Sequence, residues 1–199
     1  MSVGYNMSNY YDINAKEYIQ NTINCDMSLH YLKFLRFLPK TGKILDVGFG
    51  SGRDMIYFKS LGYEVEGIDT SIEFVNNMKE QGFNVRLESA CELNYNNEYD
   101  GIWACTSLLH VKRDELEEVI IKCIKALKGN GVLYCSFKYG DKEVEKDNRY
   151  FNYINEEIIK SIIVKNKLYL VESYITNDVR VDRNNEIWIN VIIQNRVGV

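Results

Sequence analysis

The segment Leu45-Asp-Val-Gly-Phe-Gly-Ser-Gly-Arg-Asp54 joins an apolar run to a helical pattern. The apolar residues 43–47 run directly into a glycine, which predicts a short buried strand. Gly48, Gly50 and Gly52 then alternate with other residues. Glycine accepts backbone conformations that other residues avoid, and it lets a ligand approach the main chain. The segment therefore predicts either a tight strand-to-helix turn or a ligand-binding loop.

Strand patterns alternate with helical patterns along the rest of the chain. Apolar runs predict seven strands, at residues 43–47, 64–68, 83–87, 99–104, 131–137, 168–175 and 187–193. Helices are predicted at 53–61, from the capping box Thr70-Ser-Ile-Glu73 to Gly82, across 116–127 up to Gly129, and after Asn155. This alternation predicts a mostly parallel sheet with helices on both faces. A polar connection joins the last two strands, which predicts a hairpin and one antiparallel strand.

Two more helices are predicted ahead of the sheet, at residues 11–23 and 28–38. The length fits one globular domain overall, divided into an N-terminal helical segment at 1–42 and a ligand-binding domain at 43–199. Ligands of open α/β sheets bind beyond the carboxyl ends of the strands. Functional residues are therefore expected just after Val47, Ile68, Leu87, Ala104 and Phe137.

Two carboxylates indicate which ligand the loop would bind. Asp46 lies two residues before Gly48, where an acidic group suits a cationic ligand better than a phosphate. Asp69 follows Gly48 by 21 residues, close to the ~20 expected for an acidic residue that binds ribose hydroxyls. The dinucleotide fingerprint G-x-G-x-x-G would need a glycine where Arg53 stands. S-adenosylmethionine (SAM) fits better, because it has a ribose and a sulfonium cation but no pyrophosphate.

The pattern Asp46-x-Gly-x-Gly-x-Gly with a downstream Asp69 resembles class I SAM-dependent methyltransferases. The turn Lys128-Gly-Asn-Gly131 is similar to the family's Lys-Pro-Gly-Gly turn. Gly-Ser-Gly-Arg53 and the chain length most resemble the small bacterial tellurite-resistance-like and other small-molecule methyltransferases. The resemblance covers the chain from about residue 43 onward. It implies an α/β fold with a Rossmann-like, doubly wound, seven-stranded sheet whose last strand is antiparallel.

The resemblance also implies which residues bind the cofactor. The loop would line the methionine part of SAM, Asp69 would bind the ribose, and the segment after the third strand would contact the adenine. The implied cofactor-binding residues are Asp46, Gly48, Phe49, Gly50, Gly52, Arg53, Asp69, Thr70, Ala90, Cys91 and Cys105. Arg53 would pair either with the methionine carboxylate or with Asp54. Ser89 stands where the family often has Asp, which questions a direct bond to the adenine amino group.

Each candidate residue for the methyl acceptor has two interpretations. His110 follows the fourth strand and would be either a general base, with an ordinary imidazole pKa near ~6.5, or a structural histidine. Lys138 and Tyr139 follow the fifth strand and would either bind an anionic acceptor or form a solvated turn. Arg180 would either clamp a carboxylate or lie in a solvated hairpin loop.

Two tyrosines ahead of the sheet are candidate lid residues. Tyr11 and Tyr18 are seven residues apart, which would place them on one helical face. The segment around them resembles lid segments found before the first strand in small-molecule methyltransferases, where closure over SAM would exclude water. An ordinary aromatic packing stripe is the alternative.

Composition restricts the partners further. The chain has 24 Lys and Arg against 28 Asp and Glu, and its pI is about 5.4, so the overall balance argues against nucleic acid. Two distant His and five scattered Cys without a C-x-x-C pair predict no metal site. The pattern of a signal peptide is missing, and no apolar run approaches the ~18 residues of a membrane span. We therefore expect a cytoplasmic protein with no membrane partner.

The combined prediction is a SAM-dependent methyltransferase that acts on a small-molecule acceptor. A non-catalytic SAM-binding or partner-binding module is one alternative, and a methyltransferase acting on a macromolecule is another. A NAD(P)-dependent oxidoreductase is a third, against which the missing glycine argues. The chain reads Ala104-Cys-Thr-Ser107 after the fourth strand. It therefore lacks the Asn/Asp-Pro-Pro-Tyr/Phe signature of amino-group nucleic-acid methylases at this position.

Overall fold

The computed structural model describes residues 7–196 of the chain. Its helices are α1 (Met7–Ile13), α2 (Ala15–Thr22), α3 (Ser28–Leu35), α4 (Arg53–Ser60), α5 (Ile72–Glu80), α6 (Arg113–Ala126) and α7 (Glu156–Lys165). Its strands are β1 (Lys43–Val47), β2 (Glu64–Asp69), β3 (Asn84–Leu87), β4 (Tyr99–Ala104), β5 (Leu127–Lys138), β6 (Glu143–Lys146), β7 (Arg149–Asn152), β8 (Tyr169–Asn177) and β9 (Ile187–Gln194). Short 3₁₀ turns lie at Ala90–Glu92, Leu108–His110 and Val181–Arg183. None of these helices has the length and apolar character that crossing a membrane requires.

Seven strands form one sheet in the order β3-β2-β1-β4-β5-β9-β8. The pairs from β3 through β5 are parallel, and β9 is antiparallel to both β5 and β8. This arrangement confirms the predicted doubly wound sheet with an antiparallel last strand. The chain winds outward from β1 in one direction through β2 and β3, and then crosses to β4 on the other side. The switch point therefore lies between β1 and β4, where open α/β sheets bind their ligands.

The sheet is buried on both faces, which explains its apolar strands. On one face, α6 and α7 cover a core in which Leu116, Val119 and Ile120 repeat at helical spacing. On the other face, α3, α4 and α5 cover an aromatic core. Trp103 and Tyr134 stack there with ring centroids 4.0 Å apart. Packing on both faces of the sheet fixes the position of the carboxyl ends of β1 and β4.

The N-terminal segment differs from the predicted pair of helices. The predicted helix 11–23 is two helices, because the chain bends at Asn14, whose side-chain amide donates to the Tyr10 carbonyl at 2.7 Å. Tyr11 and Tyr18 therefore lie on different helices. Their rings still meet edge to face at 5.5 Å. The bend lets both rings face the sheet edge.

Two predicted helix ends are also corrected. Ser71, and not Thr70, caps α5, because the Ser71 hydroxyl accepts from the Phe74 amide. The helix α6 ends at Ala126, and β5 already begins at Leu127. Gly129 therefore lies within a strand instead of closing a helix.

A second, two-stranded sheet is absent from the prediction. The strands β6 and β7 form an antiparallel hairpin after β5. The hairpin packs near the Leu108–His110 turn that follows β4. It extends the wall above the carboxyl edge of the main sheet.

Gly52 has a packing role between two helices. Its φ is +77°, a region that favours glycine. A Cβ at this position would lie 2.2 Å from the Met78 sulfur, and Met78 is fully buried in α5. The start of α4 can therefore approach α5 this closely only because residue 52 has no side chain.

We expect Gly52→Ala to lower the free energy of unfolding by about 3 kcal/mol, since it adds overpacking to left-handed backbone strain. Gly62→Ala is the matched control, because Gly62 has φ +91° and a Cβ added there would meet no atom within 4 Å. Strain alone predicts a loss of about 1–2 kcal/mol there. Urea unfolding of both variants measures the difference, and equal losses would contradict the packing role.

Candidate active site

A cavity of about 390 Å³ opens at the carboxyl ends of β1, β2 and β4. Its volume lies within the ~300–1,000 Å³ typical of small-molecule sites. Helices α1 and α2 cover it from above. It is lined by Tyr11, Tyr18, Val47, Gly48, Gly50, Asp69, Thr70, Phe74, Glu88, Ser89, Ala90, Cys91, Thr106, Ser107, His110, Val111, Lys112, Glu115, Glu145 and Tyr150.

The glycine loop forms the floor of this cavity. Gly48 and Gly50 have φ values of +71° and +52°. A Cβ on Gly48 would lie 2.4 Å from Cβ of Ser107, and one on Gly50 would lie 3.0 Å from the Tyr18 ring. Side chains at either position would fill the space between the loop and its neighbours. The glycines thus leave the backbone accessible, as the loop pattern predicts.

Asp69 lies at the end of β2 and connects to the glycine loop. Its Oδ2 accepts from the Gly50 amide and its Oδ1 accepts from the Ser71 amide, both at 2.9 Å. Burial raises the pKa of Asp69 to about 6, although these backbone donors oppose the shift. A carboxylate has about four acceptor sites, so each oxygen can accept another hydrogen bond. Two adjacent hydroxyl groups in the cavity would satisfy that capacity.

Two buried polar atoms near the loop have no hydrogen-bond partner within residues 7–196. They are Ser107 Oγ, which belongs to the cavity wall, and Asp46 Oδ2, which lies under the loop. Burial, followed by the charge of Asp54, raises the pKa of Asp46 well above its ordinary value. A buried hydroxyl without a partner is costly, and a polar ligand group in the cavity would satisfy Ser107.

The wall beyond Asp69 is a 3₁₀ turn of small residues. Ser89 caps this turn: its hydroxyl accepts from the Cys91 amide, and Glu92 accepts from the Ser89 amide. Ala90 and Cys91 border the cavity without filling it. A flat apolar group would fit against them. Within residues 7–196, no three His, Cys, Asp or Glu side chains are grouped to hold a metal ion.

Residues 44–131 match a family model described as a methyltransferase domain. No match was found among curated proteins. The fold is similar to 1,6-didemethyltoxoflavin-N1-methyltransferase of Burkholderia thailandensis, solved with 1,6-didemethyltoxoflavin and S-adenosylhomocysteine (SAH), with a TM-score of 0.80, 16% identity, and coverage of 96% of this chain and 88% of that one. A SAM-dependent methyltransferase from Clostridium acetobutylicum aligns with a TM-score of 0.67, 16% identity, and coverage of 94% and 100%. The [4+2]-cyclase SpnF aligns with a TM-score of 0.72, 13% identity, and coverage of 96% and 95%.

The structural likeness shows the fold, and the family model covers β1 through β4 together with the glycine loop. Residues 44–131 are therefore similar to a methyltransferase domain, and the fold is shared with SAM-dependent methyltransferases. The cavity fits SAM by observations made on its own atoms. Asp69 retains acceptor capacity for ribose hydroxyls, and Ser107 Oγ needs a partner. A side chain at residue 48 would occupy the space that Gly48 leaves open at the floor of the cavity.

The structure places the predicted cofactor residues in three locations. The cavity is bordered by Gly48, Gly50, Asp69, Thr70, Ala90 and Cys91. A smaller cavity of about 100 Å³ on the other side of the loop is bordered by Phe49, Arg53 and Cys105. Asp46 and Gly52 border neither cavity, since Asp46 is buried beneath the loop and Gly52 packs on α5. That these two line the methionine part of SAM stays a prediction.

Arg53 is paired with Asp54, one of the two predicted alternatives. Its Nε and Nη2 lie 2.7 and 2.9 Å from the two Asp54 oxygens. Asp54 also accepts from Tyr31 and Trp103, so this carboxylate belongs to a buried network. The network holds the start of α4 against the aromatic core.

His110 has a defined tautomer. Its Nδ1 lies 2.7 Å from the Tyr150 carbonyl, which can only accept, so Nδ1 carries the proton. Its Nε2 therefore accepts from the Tyr11 hydroxyl, also at 2.7 Å. Burial lowers the pKa of His110 to about 4. The imidazole is thus neutral, with its basic nitrogen directed at the lid tyrosine.

A third cavity, of about 700 Å³, adjoins the first. Both are bordered by Tyr11, Tyr18, Thr106 and His110. The predicted acceptor-side residues are Lys138, Tyr139 and Arg180. All three border the cavity of about 700 Å³, and none of them borders the cavity of about 390 Å³. Lys138 pairs with Glu186, and Arg180 pairs with Asp178. Tyr139 is 40% exposed, and its hydroxyl donates to Glu156. A role of these three residues toward the acceptor stays a prediction.

Several wall residues have no counterpart among the predicted ones. Thr106 and Ser107 follow β4. The sequence could have indicated them, because ligands of such sheets bind just beyond the strand ends. Phe74 belongs to α5 and packs on the Tyr18 ring at 5.3 Å. Arg149 and Tyr150 come from the β6–β7 hairpin. No motif marks these three residues, because only the tertiary structure brings Phe74 and Tyr150 to this cavity and Arg149 to the adjoining one of about 700 Å³.

The neutral state of His110 predicts a pH-dependent stability. In the unfolded chain, His110 binds a proton below its ordinary pKa of ~6.5. In the folded chain, the same imidazole stays neutral down to about pH 4. Acidification from pH 7 to pH 5 should therefore remove about 2 kcal/mol of stability through this residue. His110→Asn keeps a donor for the Tyr150 carbonyl but does not titrate. Urea unfolding at both pH values should show a pH loss about 2 kcal/mol smaller in the variant; identical losses would contradict the assignment.

Proposed function

We propose that the protein transfers a methyl group from SAM to a small-molecule acceptor. SAM would occupy the cavity of about 390 Å³, and the acceptor would occupy the adjoining one of about 700 Å³. The observation that carries this proposal is the shared wall of Tyr11, Tyr18, Thr106 and His110. Two ligands in these cavities would meet there, as group transfer requires.

The cofactor side of the site is assigned to groups with matching chemistry. Asp69 would accept from the ribose hydroxyls while its backbone donors hold it in place. Ala90 and Cys91 would contact the adenine, and Ser107 would bond a polar group of the methionine part. When bound, SAM supplies a methyl group on a positively charged sulfur, so the protein's task is chiefly positioning.

Helix α1 would act as the lid. The Tyr11 hydroxyl donates to His110, and the Ser71 hydroxyl donates to Asp12 at 2.6 Å. The Arg149 guanidinium lies 3.9 Å from the Tyr10 ring centroid. These three contacts come from three different parts of the fold. Together they favour a closed site from which water is excluded.

The character of the second cavity supports a small acceptor. It is bordered by α1, the hairpin and the β8–β9 connection, so a bound molecule would contact three separate parts of the fold. The similar Burkholderia thailandensis enzyme is named for methylation of 1,6-didemethyltoxoflavin. SpnF has the same fold and is named a [4+2]-cyclase, so the reaction itself needs a direct test.

Cofactor binding is measured by calorimetry with SAM, SAH and NADH. We expect SAM and SAH to bind and NADH not to bind. Asp69→Ala should weaken SAM binding roughly ten- to a hundred-fold, because it removes charge-assisted hydrogen bonds. Asp141→Ala, at an exposed position outside the cavities, is the charge-matched control and should bind as the wild type does. Unchanged affinity in Asp69→Ala would overturn the ribose assignment.

Transfer is measured with SAM labelled on its methyl group and a cell extract split at about 3 kDa. We expect label in the low-mass fraction and none in wild-type protein incubated without extract. Label confined to protein or nucleic acid would identify a macromolecular acceptor instead. Binding of SAM without any transfer would favour the non-catalytic module.

A further inference from the structure

The larger cavity has an unusual combination of side chains. Six aromatic rings border it, from Tyr11, Tyr18, Tyr139, Phe151, Tyr153 and Trp188. Five cationic residues border it as well, namely Lys138, Lys146, Arg149, Arg180 and Arg183. Only two acidic residues do so, Asp147 and Glu186. This local excess of positive charge stands in a chain whose net charge is −4.

Lys138 ends β5 with its ammonium group among three rings. Its Nζ lies 5.3 Å from the Phe151 ring centroid and 5.9 Å from those of Tyr153 and Trp188. Its side chain is only 17% exposed, and its counterion Glu186 lies at 2.6 Å. A largely buried ammonium with one acidic partner keeps donors for a second one.

Arg149 approaches the same ring from β7. Its guanidinium carbon lies 5.1 Å from the Phe151 ring centroid. Its Nε is buried and has no hydrogen-bond partner within the described part of the chain. The nearest acidic group, Asp147, lies 3.5 Å away and is 56% exposed. Exposed pairs of this kind contribute little, so the Arg149 charge is poorly compensated.

The two cations therefore converge on one ring. His110 also packs on Phe151, with ring centroids 5.1 Å apart. Burial is the main cause of the lowered pKa of His110. The positive charges of Arg149 and Lys138 lower this pKa further, while the hydrogen bond to the Tyr150 carbonyl raises it. Arg180 contributes less, because Asp178 neutralises it through two hydrogen bonds. The positive charge of this cavity is therefore concentrated around Lys138 and Arg149, near the junction with the first cavity.

These cations do not belong to the proposed cofactor side. Lys138 and Arg149 border neither the cavity of about 390 Å³ nor the one of about 100 Å³. Arg53, which lies near the glycine loop, is occupied by Asp54. Lys138 and Arg149 are thus placed to meet an anion other than the cofactor.

We propose that this cavity binds a planar, anionic acceptor whose acidic group lies against Lys138 and Arg149 and whose ring packs among Phe151, Tyr153 and Trp188. This inference rests on the proposed function and specifies its substrate class. Aromatic walls favour flat rings, and two cations in a partly dry cavity favour a carboxylate or another acidic oxygen. The far edge of such a ring would point to the shared wall at Tyr11 and His110.

The test uses four pairs of ring compounds of nearly the same shape, one member anionic and the other neutral at pH 7.5. They are benzoate, salicylate, 4-hydroxybenzoate and nicotinate, each with its neutral amide. Each compound is titrated by calorimetry into wild-type protein saturated with SAH. We expect at least one acid to bind ten-fold or more tightly than its amide. Amides that bind as tightly as the acids, or no binding by any acid up to 5 mM, would overturn the proposal.

Variants locate the charge effect. Lys138→Gln and Arg149→Gln should each lose most of the preference for the acid, while Lys160→Gln on the exposed face of α7 is the charge-matched control and should keep it. A preference that survives in both cavity variants would place the acid elsewhere and overturn the proposal. SAH binding is measured for every variant and reports whether the cofactor site is intact. Failure of SAH to bind the wild type would contradict the proposed function, whereas SAH binding without an acid preference would contradict this inference alone.

Discussion

The carboxylate of Asp69 connects the two loops on which the site is built. It accepts from Gly50 in the loop after β1 and from Ser71 at the start of α5. These bonds join neighbouring parallel strands at their carboxyl ends and hold Gly50 at φ +52°. The arrangement requires a buried negative charge, and burial raises the pKa of Asp69. Backbone donors offset part of that cost, so the same contacts that shape the loop also keep the carboxylate in place.

Helix α1 and the β6–β7 hairpin are connected through His110. The Tyr150 carbonyl of the hairpin determines which ring nitrogen of His110 carries the proton. The other nitrogen can then accept from Tyr11 in α1. Arg149 in the same hairpin packs on Tyr10 of that helix. The position of α1 is therefore coupled to the hairpin, although the two segments are far apart in the sequence.

The elements that were predictable have strong local patterns. The strand at 99–104 matches β4, and the run before the glycine loop matches β1, because buried parallel strands are apolar throughout. The hairpin was missed because β6 reads Glu-Val-Glu-Lys, a charged sequence typical of a surface segment. Its pairing with β7 depends on a turn at Asp147 and Asn148, both with positive φ. The bend at Asn14 likewise depends on one side-chain hydrogen bond and leaves no periodic signal.

The same contrast separates the two halves of the candidate site. The cofactor half uses backbone groups and short side chains at the ends of β1 and β2, so one continuous motif with a downstream acid was enough to locate Asp69 and the loop. The proposed acceptor half would draw Lys138 from β5, Arg149 from β7 and Trp188 from β9. Residues from loops and added hairpins can change without disturbing the central strands. Lys138 could be singled out from its position at the end of a strand, whereas the approach of Arg149 and Trp188 to it is a property of the folded chain that no local pattern contains.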